Sequence, residues 1–500
     1  MSNKVKEASK QYGRVIGVLA VLLVIGAALR IYTLDSGLWF DEIKTLVLSV
    51  RSPLGTIVTE FPSNNVHVLY SVLAHLSITV FGESPWALRL PALLFGIASI
   101  PVLYLLGSVV TSRSEALLAT FMLTFSYHHV WFSQNARGYT ALLFWTLLST
   151  LFVLQWILRK NRFPVVLYAI IAALGAYTHL TMIFIVMSHA LICMWVVTKN
   201  RQTDIGWYEW RYPATAFILS GLVTLLLYAP MFQEMHVFFT EGPVEEKLAT
   251  PIWLFWAAIR GLEVSLGQAW FLVLAGSIVS IGIVSYARQK ASLLGLFLLP
   301  APVIYVVALA MGRPIFPRFF FFFVGFGLLI AVRGAVVTGE WWADRFGLAK
   351  KRQRVGIVAG IILSAAFVTF SINSLQYDYK YPKQDYKQAM EFVLARSNKE
   401  EPVVTIGLTA AYPFNEYLGM NWQRIYADDE LQTLRSGGKN VWVLYTFPTY
   451  LETSMPSLMS RIKAECTHAR DFNGTIEGGT ISVYKCTPVM VDQEGGDHVT

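Results

Sequence analysis

Apolar residues fall in long blocks separated by short polar stretches, and the blocks are long enough to cross a bilayer. A transmembrane helix needs about 20 mostly apolar residues. Scanned with a window of about 19 residues, the chain predicts eleven spans, near 15–34, 87–110, 116–133, 139–158, 164–180, 181–198, 213–231, 269–286, 291–311, 319–337 and 355–373. The segment Val66–Gly82 is also apolar, but His67, His75 and several hydroxyls interrupt it. From Tyr377 to Thr487 the pattern changes. Lys387–Arg396 and Tyr450–Glu465 read as amphipathic helices, and Pro402–Gly407, Asn440–Phe447 and Thr480–Cys486 as short strands, the last preceded by an Asn473-Gly474 turn. The predicted fold is therefore an all-α polytopic membrane domain of about eleven helices over 1–375, followed by a small α/β domain over 376–488. The tail 489–500 is polar and reads as disordered.

Composition agrees with this pattern. The 500 residues are 55% hydrophobic and only 14% charged, whereas a soluble domain carries about 25% charged residues. The net charge of +8 does not indicate nucleic acid, because the basic residues sit in short clusters between apolar runs, where membrane orientation accounts for them. Val15–Leu34 is longer than a signal-peptide core, so it reads as a retained first span.

The basic clusters also orient the spans. With the N-terminus cytoplasmic, the cytoplasmic pieces total 59 residues and hold 18 Lys/Arg, while the opposite loops, though longer in total, hold 7. Counting Val66–Gly82 as a span would put the densest basic loops outside, against the positive-inside rule. It is therefore expected to be a helix lying at the outer interface, within a long first external loop, 35–86. The C-terminal domain is then extracytoplasmic. There Cys466 and Cys486 could pair if the compartment is oxidising, and the sequence leaves their pairing open, whereas Cys193 lies inside an apolar run and reads as a small core residue.

With this orientation the polar residues at the outer helix ends form a set. The first loop carries Asp41-Glu42, Asn64, Asn65 and His67; the third span ends in Tyr127 to Tyr139, including Arg137; and Arg313 and Arg318 lie between the ninth and tenth spans. Each member has an ordinary reading: an arginine snorkels to headgroups, aromatics form interfacial belts, and a carboxylate pair holds a loop cation. His128 and His129 are adjacent, and adjacent helical residues do not face each other, so they do not share a metal. Several ordinary readings must hold together on one face, however. Carboxylates, arginines and aromatics there suit an anionic, lipid-linked sugar, because a guanidinium fork matches phosphate, aromatics stack on sugars, and Asp or Glu serves as general base.

The ordered motifs Leu38-Trp39-Phe40-Asp41-Glu42, Asn64-Asn65-Val66-His67-Val68-Leu69-Tyr70, Phe81 to Gly96, Phe132-Ser133-Gln134-Asn135-Ala136-Arg137-Gly138-Tyr139 and Pro317-Arg318 resemble a known family. The pattern is similar to the bacterial protein O-mannosyltransferase-like and aminoarabinose-transferase-like members of the GT-C glycosyltransferase superfamily. The resemblance implies a multi-pass protein of the bacterial inner (cytoplasmic) membrane. It implies inverting transfer of a sugar from a polyprenyl-phosphate donor to a hydroxyl of a lipid, protein or polysaccharide acceptor on the outer face. It implies Asp41 as general base with Glu42 in support, Arg137 and Arg318 on the donor phosphate, and His67 and Tyr139 lining the pocket. Two positions depart from the family pattern: the proline-rich histidine motif is here Asn65-Val66-His67-Val68, and no acidic residue follows the third span where metal-using relatives often carry one. The expectation is arginine-based phosphate neutralisation without an obligatory metal or other cofactor. The alternative is a transporter or flippase of a lipid-linked saccharide. No repeat, Walker A or Rossmann fingerprint supports ATP-driven transport, and the middles of the spans are almost free of charge, unlike the midplane sites of transporters.

Overall fold

The computed structural model describes residues 3–63, 66–159, 162–199, 207–240, 256–257, 259–261, 269–289, 291–311 and 316–489. The expectations for Asn64, Asn65, Arg313 and the tail beyond residue 489 lie outside the described residues. The chain forms two compact units, Met1–Leu34 with Ser52–Gln376, and Asp35–Arg51 with Tyr377–Thr500.

The first unit is helical. Eight described helices are long and apolar enough to cross a membrane: Gly13–Ile31, Pro85–Val110, Tyr139–Arg159, Thr181–Lys199, Arg211–Thr240, Phe271–Gln289, Pro317–Arg345 and Ala349–Lys380. Ala291–Leu298 and Pro300–Ala310, bent by 42° at the intervening break, make a ninth if they form one span. These nine coincide with nine of the eleven predicted spans, and the other two are shorter. The predicted 164–180 span is the 14-residue helix Val165–Thr178. The predicted 116–133 span breaks into Arg113–Phe125 and Tyr127–Ser133, because the Ser126 hydroxyl accepts the His129 N–H at 3.4 Å and starts a new helix. Val68–Phe81, also 14 residues, extends about 21 Å at 1.5 Å per residue. That is less than the ~30 Å hydrocarbon thickness, and the same holds for Val165–Thr178, so length does not separate the predicted interfacial helix from the predicted span.

Small residues set the closest approaches. A Cβ at Gly334 would collide with the Ile278 carbonyl, and one at Gly282 with the Ile330 carbonyl, so Phe271–Gln289 and Pro317–Arg345 pack backbone to backbone. Around the Glu115 end of Arg113–Phe125, Arg333 reaches the Glu115 carboxylate at 3.3 Å and donates through Nε to Ser285 Oγ at 3.0 Å. Its charge is paired where it leaves water, as burial requires.

The second unit is built on a five-stranded sheet. Its strands are β1 (Val403–Ile406), β2 (Gln423–Ile425), β3 (Val441–Tyr445), β4 (Cys466–Phe472) and β5 (Ile481–Cys486), in the order β2-β1-β3-β5-β4. β1 is parallel to both β2 and β3, while β5 runs antiparallel to β3 and β4. Parallel neighbours need crossovers, and these are helical, including Gly407–Tyr412 and Asp428–Ser436. The predicted 450–465 helix is two, Pro448–Ser454 and Pro456–Glu465, since Pro456 lacks the N–H to continue the first. β3 is buried along its whole length, as a central strand covered on both faces must be. Cys466 and Cys486 stand opposite one another in the β4–β5 register and form a disulfide, while Cys193 is free and buried.

Candidate active site

Within the helical unit, three of the predicted residues meet around one imidazole. His67 caps the start of Val68–Phe81 and is buried. Its Nδ1 lies 3.2 Å from the Thr178 carbonyl oxygen and its Nε2 3.0 Å from Arg137 Nη2. A carbonyl only accepts and a guanidinium only donates, so the ring carries its proton on Nδ1 and is neutral. Burial first, and then the positive charge of Arg137, hold its pKa well below the usual imidazole value. Arg137 lies in the short turn between Tyr127–Ser133 and Tyr139–Arg159, buried, with its guanidinium carbon 5.5 Å from the centre of the Tyr139 ring. Tyr139 is buried as well; its ring centre is 5.4 Å from that of His67, and its hydroxyl has no hydrogen-bond partner among the described residues.

Gly138 makes this arrangement possible. A Cβ there would stand 2.9 Å from both His67 Nδ1 and Thr178 Cγ2, so only glycine lets the Arg137 turn approach the imidazole this closely. Arg318, the fourth predicted residue, is half-buried, with its guanidinium carbon 4.7 Å from the centre of the Phe316 ring. It is near enough for its charge to act on His67. The structure therefore brings His67, Arg137, Tyr139 and Arg318 into one neighbourhood.

His179 joins this cluster without having been singled out in the sequence. Its ring centre is 4.8 Å from that of His67, 5.5 Å from that of Tyr139 and 5.8 Å from that of Phe319. The available signal was one imidazole at the junction of two apolar runs, which by itself does not single out a site. The arrangement is cationic and aromatic. Two guanidinium groups beside neutral imidazoles are chemically suited to a phosphate, because a planar guanidinium fork matches its oxygens. Because His67 Nε2 accepts from Arg137, that nitrogen is not open to a metal. Among the described residues no three His, Cys, Asp or Glu side chains converge as a metal site.

Asp41-Glu42 belong to the other unit. They lie in the first turn of the short helix Phe40–Thr45. Glu42 is fully buried; its Oε2 accepts the Trp39 N–H at 3.3 Å and its Oε1 lies 3.9 Å from Lys383 Nζ. Asp41 is partly exposed and close to Tyr386. Burial raises the Tyr386 pKa well above the usual phenol value, a hydrogen bond with Gln384 opposes this, and the negative Asp41 adds to the rise. Tyr386 thus stays a neutral phenol and donates to the Thr409 carbonyl at 3.0 Å. The two neighbouring carboxylates differ in burial: Glu42 is fully buried and Asp41 only partly.

Comparison with known proteins agrees with this architecture. Residues 67–233 match the family model described as dolichyl-phosphate-mannose-protein mannosyltransferase. No curated protein sequence gives a significant match. Among solved structures, ArnT from Cupriavidus metallidurans bound to undecaprenyl phosphate is similar at 15% identity and a TM-score of 0.56, over 95% of this chain and 98% of that one. The same protein in the apo state matches at 13% identity and 0.54, with the same coverage. The oligosaccharyltransferase AglB from Archaeoglobus fulgidus, in complex with an inhibitory peptide and a dolichol-phosphate, matches at 12% identity and 0.55, over 95% of this chain and 74% of that one. Over most of its length, then, the chain shares the fold of ArnT and AglB.

Proposed function

We propose that the protein is an inverting glycosyltransferase that moves a sugar from a polyprenyl-phosphate donor to an acceptor hydroxyl on the extracytoplasmic face of the inner membrane. The observation that carries this reading is the buried Arg137–His67–Tyr139 cluster with Arg318 beside it. It is a preorganised positive site in a fold shared with a protein solved with undecaprenyl phosphate bound. As the glycosidic C–O bond breaks, negative charge grows on the departing phosphate. Fixed cations aimed at a developing anion are usually the largest single catalytic contribution. Arg137 and Arg318 fill that role, while Tyr139, His67 and His179 line the donor site.

Asp41 is the general base. It takes the proton of the acceptor hydroxyl as the oxygen attacks the anomeric carbon, and the polyprenyl phosphate leaves with the bonding electrons. Glu42, both of its oxygens engaged within its own unit, supports the helix that carries Asp41. Charge neutralisation by arginine makes a divalent ion dispensable in this scheme. The acceptor is a lipid, protein or polysaccharide hydroxyl. The basic-loop asymmetry supports a cytoplasmic N-terminus, and the Cys466–Cys486 disulfide supports an oxidising compartment for the α/β unit. Nothing in the structure favours the transport alternative.

The test is turnover of a synthetic polyprenyl-phosphate sugar by the purified protein. Asp41→Asn is expected to abolish transfer while leaving the protein folded and inserted. Full activity in that variant would remove Asp41 as the base.

A further inference from the structure

Helix Phe40–Thr45 is only six residues long and runs straight into the π-helical turn Leu46–Val50; even together they are too short to hold a shape by themselves, yet this segment carries Asp41. Its first N–H groups lack intrahelical partners, as at every helix start. The Trp39 N–H is taken by Glu42 from within the same turn. The Phe40 N–H is taken by a residue 344 positions away, Gln384, whose Oε1 accepts it at 2.9 Å. Gln384 is buried, and its Nε2 donates to Thr446 Oγ1 at 3.2 Å and to the Gly479 carbonyl at 3.5 Å. Thr446 is also buried and immediately follows β3. The amide thus ties the helix that holds Asp41 to the end of the central strand of the sheet.

The neighbouring residue grips the same helix a second time, since Lys383 Nζ, buried, faces Glu42 Oε1 at 3.9 Å. The Lys383-Gln384 backbone is itself fixed. The Thr475 N–H donates to the Pro382 carbonyl at 3.0 Å and the Ile476 N–H to the Lys383 carbonyl at 3.3 Å. A Cβ at Gly474 would collide with that carbonyl. Loop 474–479 therefore holds Lys383-Gln384, which hold Phe40 and Glu42 on either side of Asp41.

We infer that Lys383 and Gln384 are positioning residues for Asp41, so that the α/β unit aims the base in addition to any part it plays with the acceptor. This rests on the reading of Asp41 as the base. A buried amide that satisfies a backbone N–H on one side and a strand-end hydroxyl on the other leaves the helix one orientation. Losing either end removes that restraint and leaves the helix held by the Lys383–Glu42 pair. Displacing a reacting group by about 1 Å costs on the order of 100-fold in rate, so a loosened helix lowers kcat and leaves donor affinity unchanged.

The test uses the full-length enzyme. Gln384→Met keeps the volume and removes the amide's hydrogen bonds to Phe40, Thr446, Gly479 and Tyr386; it is expected to lower kcat about 10- to 100-fold with donor KM within about twofold. Thr446→Val, which loosens the far end of the tie, should lower kcat in the same direction, whereas Thr446→Ser should behave as wild type. In an Asp41→Asn background, Gln384→Met should change the residual rate less than twofold, because it acts only through Asp41. If Gln384→Met does not fold, Thr446→Val against Thr446→Ser carries the test. The inference is overturned if Gln384→Met retains wild-type kcat, if its effect falls on KM, or if it costs as much without Asp41 as with it. A fully active Asp41→Asn removes the base reading itself, a different pattern from an inactive Asp41→Asn beside an unimpaired Gln384→Met, which overturns the tie alone.

Discussion

Adding one methyl group at Gly138 tests the geometry of the cationic cluster without removing any functional group. In Gly138→Ala the new Cβ would lie 2.9 Å from His67 Nδ1, 2.9 Å from Thr178 Cγ2 and 3.3 Å from His67 Cβ. Ordinary van der Waals contact begins near 3.4 Å, so His67 must retreat by about 0.5 Å. It has little freedom to do so, because Nδ1 is tied to the Thr178 carbonyl at 3.2 Å and Nε2 to Arg137 at 3.0 Å. Forcing a methyl into a packed site costs roughly 1–3 kcal/mol. If that strain falls on the bound donor, it appears as a loss of about 5- to 150-fold in kcat/KM, at 1.36 kcal/mol per decade. The assay is release of polyprenyl phosphate from a defined donor, normalised to monodisperse, folded protein. A Gly138→Ala enzyme that folds and keeps kcat/KM within twofold of wild type would refute the reasoning, since the turn would then not hold His67 and Arg137 in a catalytically relevant position.

Other consequences are equally direct. Arg318→Ala should weaken donor use; a charge-assisted hydrogen bond to phosphate is worth about 1.5–3 kcal/mol, so kcat/KM for the donor should fall roughly 10- to 150-fold. Unchanged donor kinetics would take Arg318 out of the phosphate site. Replacing both Cys466 and Cys486 by serine removes a crosslink across 20 residues. Loop-closure entropy values this at about 3 kcal/mol, so limited proteolysis of the full-length protein should cut the α/β unit faster, and equal resistance would contradict the assignment. Glu401 predicts an acid limit for the same unit. Its burial alone would raise its pKa, but hydrogen bonds from Asn440 at 2.7 Å, Trp442 Nε1 at 2.8 Å, Lys485 at 3.1 Å and the Asn398 N–H at 3.3 Å prevail and bring it down to about 2. A carboxylate with a depressed folded pKa stabilises fully above its unfolded value and loses that contribution as pH falls through the folded one. The unit should therefore weaken between about pH 4.5 and 2, and Glu401→Gln should flatten that dependence; an identical acid profile in the variant would contradict the network.

Much of this was legible in the sequence, for identifiable reasons. Long apolar runs report spans directly, because they follow from transfer into lipid. Arg137, His67, Tyr139 and Arg318 stood out because each is a polar or amphipathic group at the end of an apolar run. The break at Ser126 was hidden, since a serine inside an apolar run carries no period of its own and acts only through one hydrogen bond to His129. β4 was missed because only its end residues, Cys466 and Phe472, are buried, leaving no alternation to read. His179 and Gln384 were invisible for a third reason: their importance lies in what the fold brings to them, His67 to one and the Phe40 N–H to the other. Local pattern holds no record of a partner 112 or 344 residues away.

The central claim is sugar transfer from a lipid phosphate, and one measurement tests it most directly. Purified protein, in detergent and in proteoliposomes, is given a labelled polyprenyl-phosphate sugar and a hydroxyl acceptor, with Asp41→Asn run alongside. The wild type is expected to release polyprenyl phosphate and a glycosylated acceptor of inverted anomeric configuration in both settings, and Asp41→Asn to release neither. Donor that crosses the proteoliposome bilayer intact, with no product formed in either setting, would contradict it.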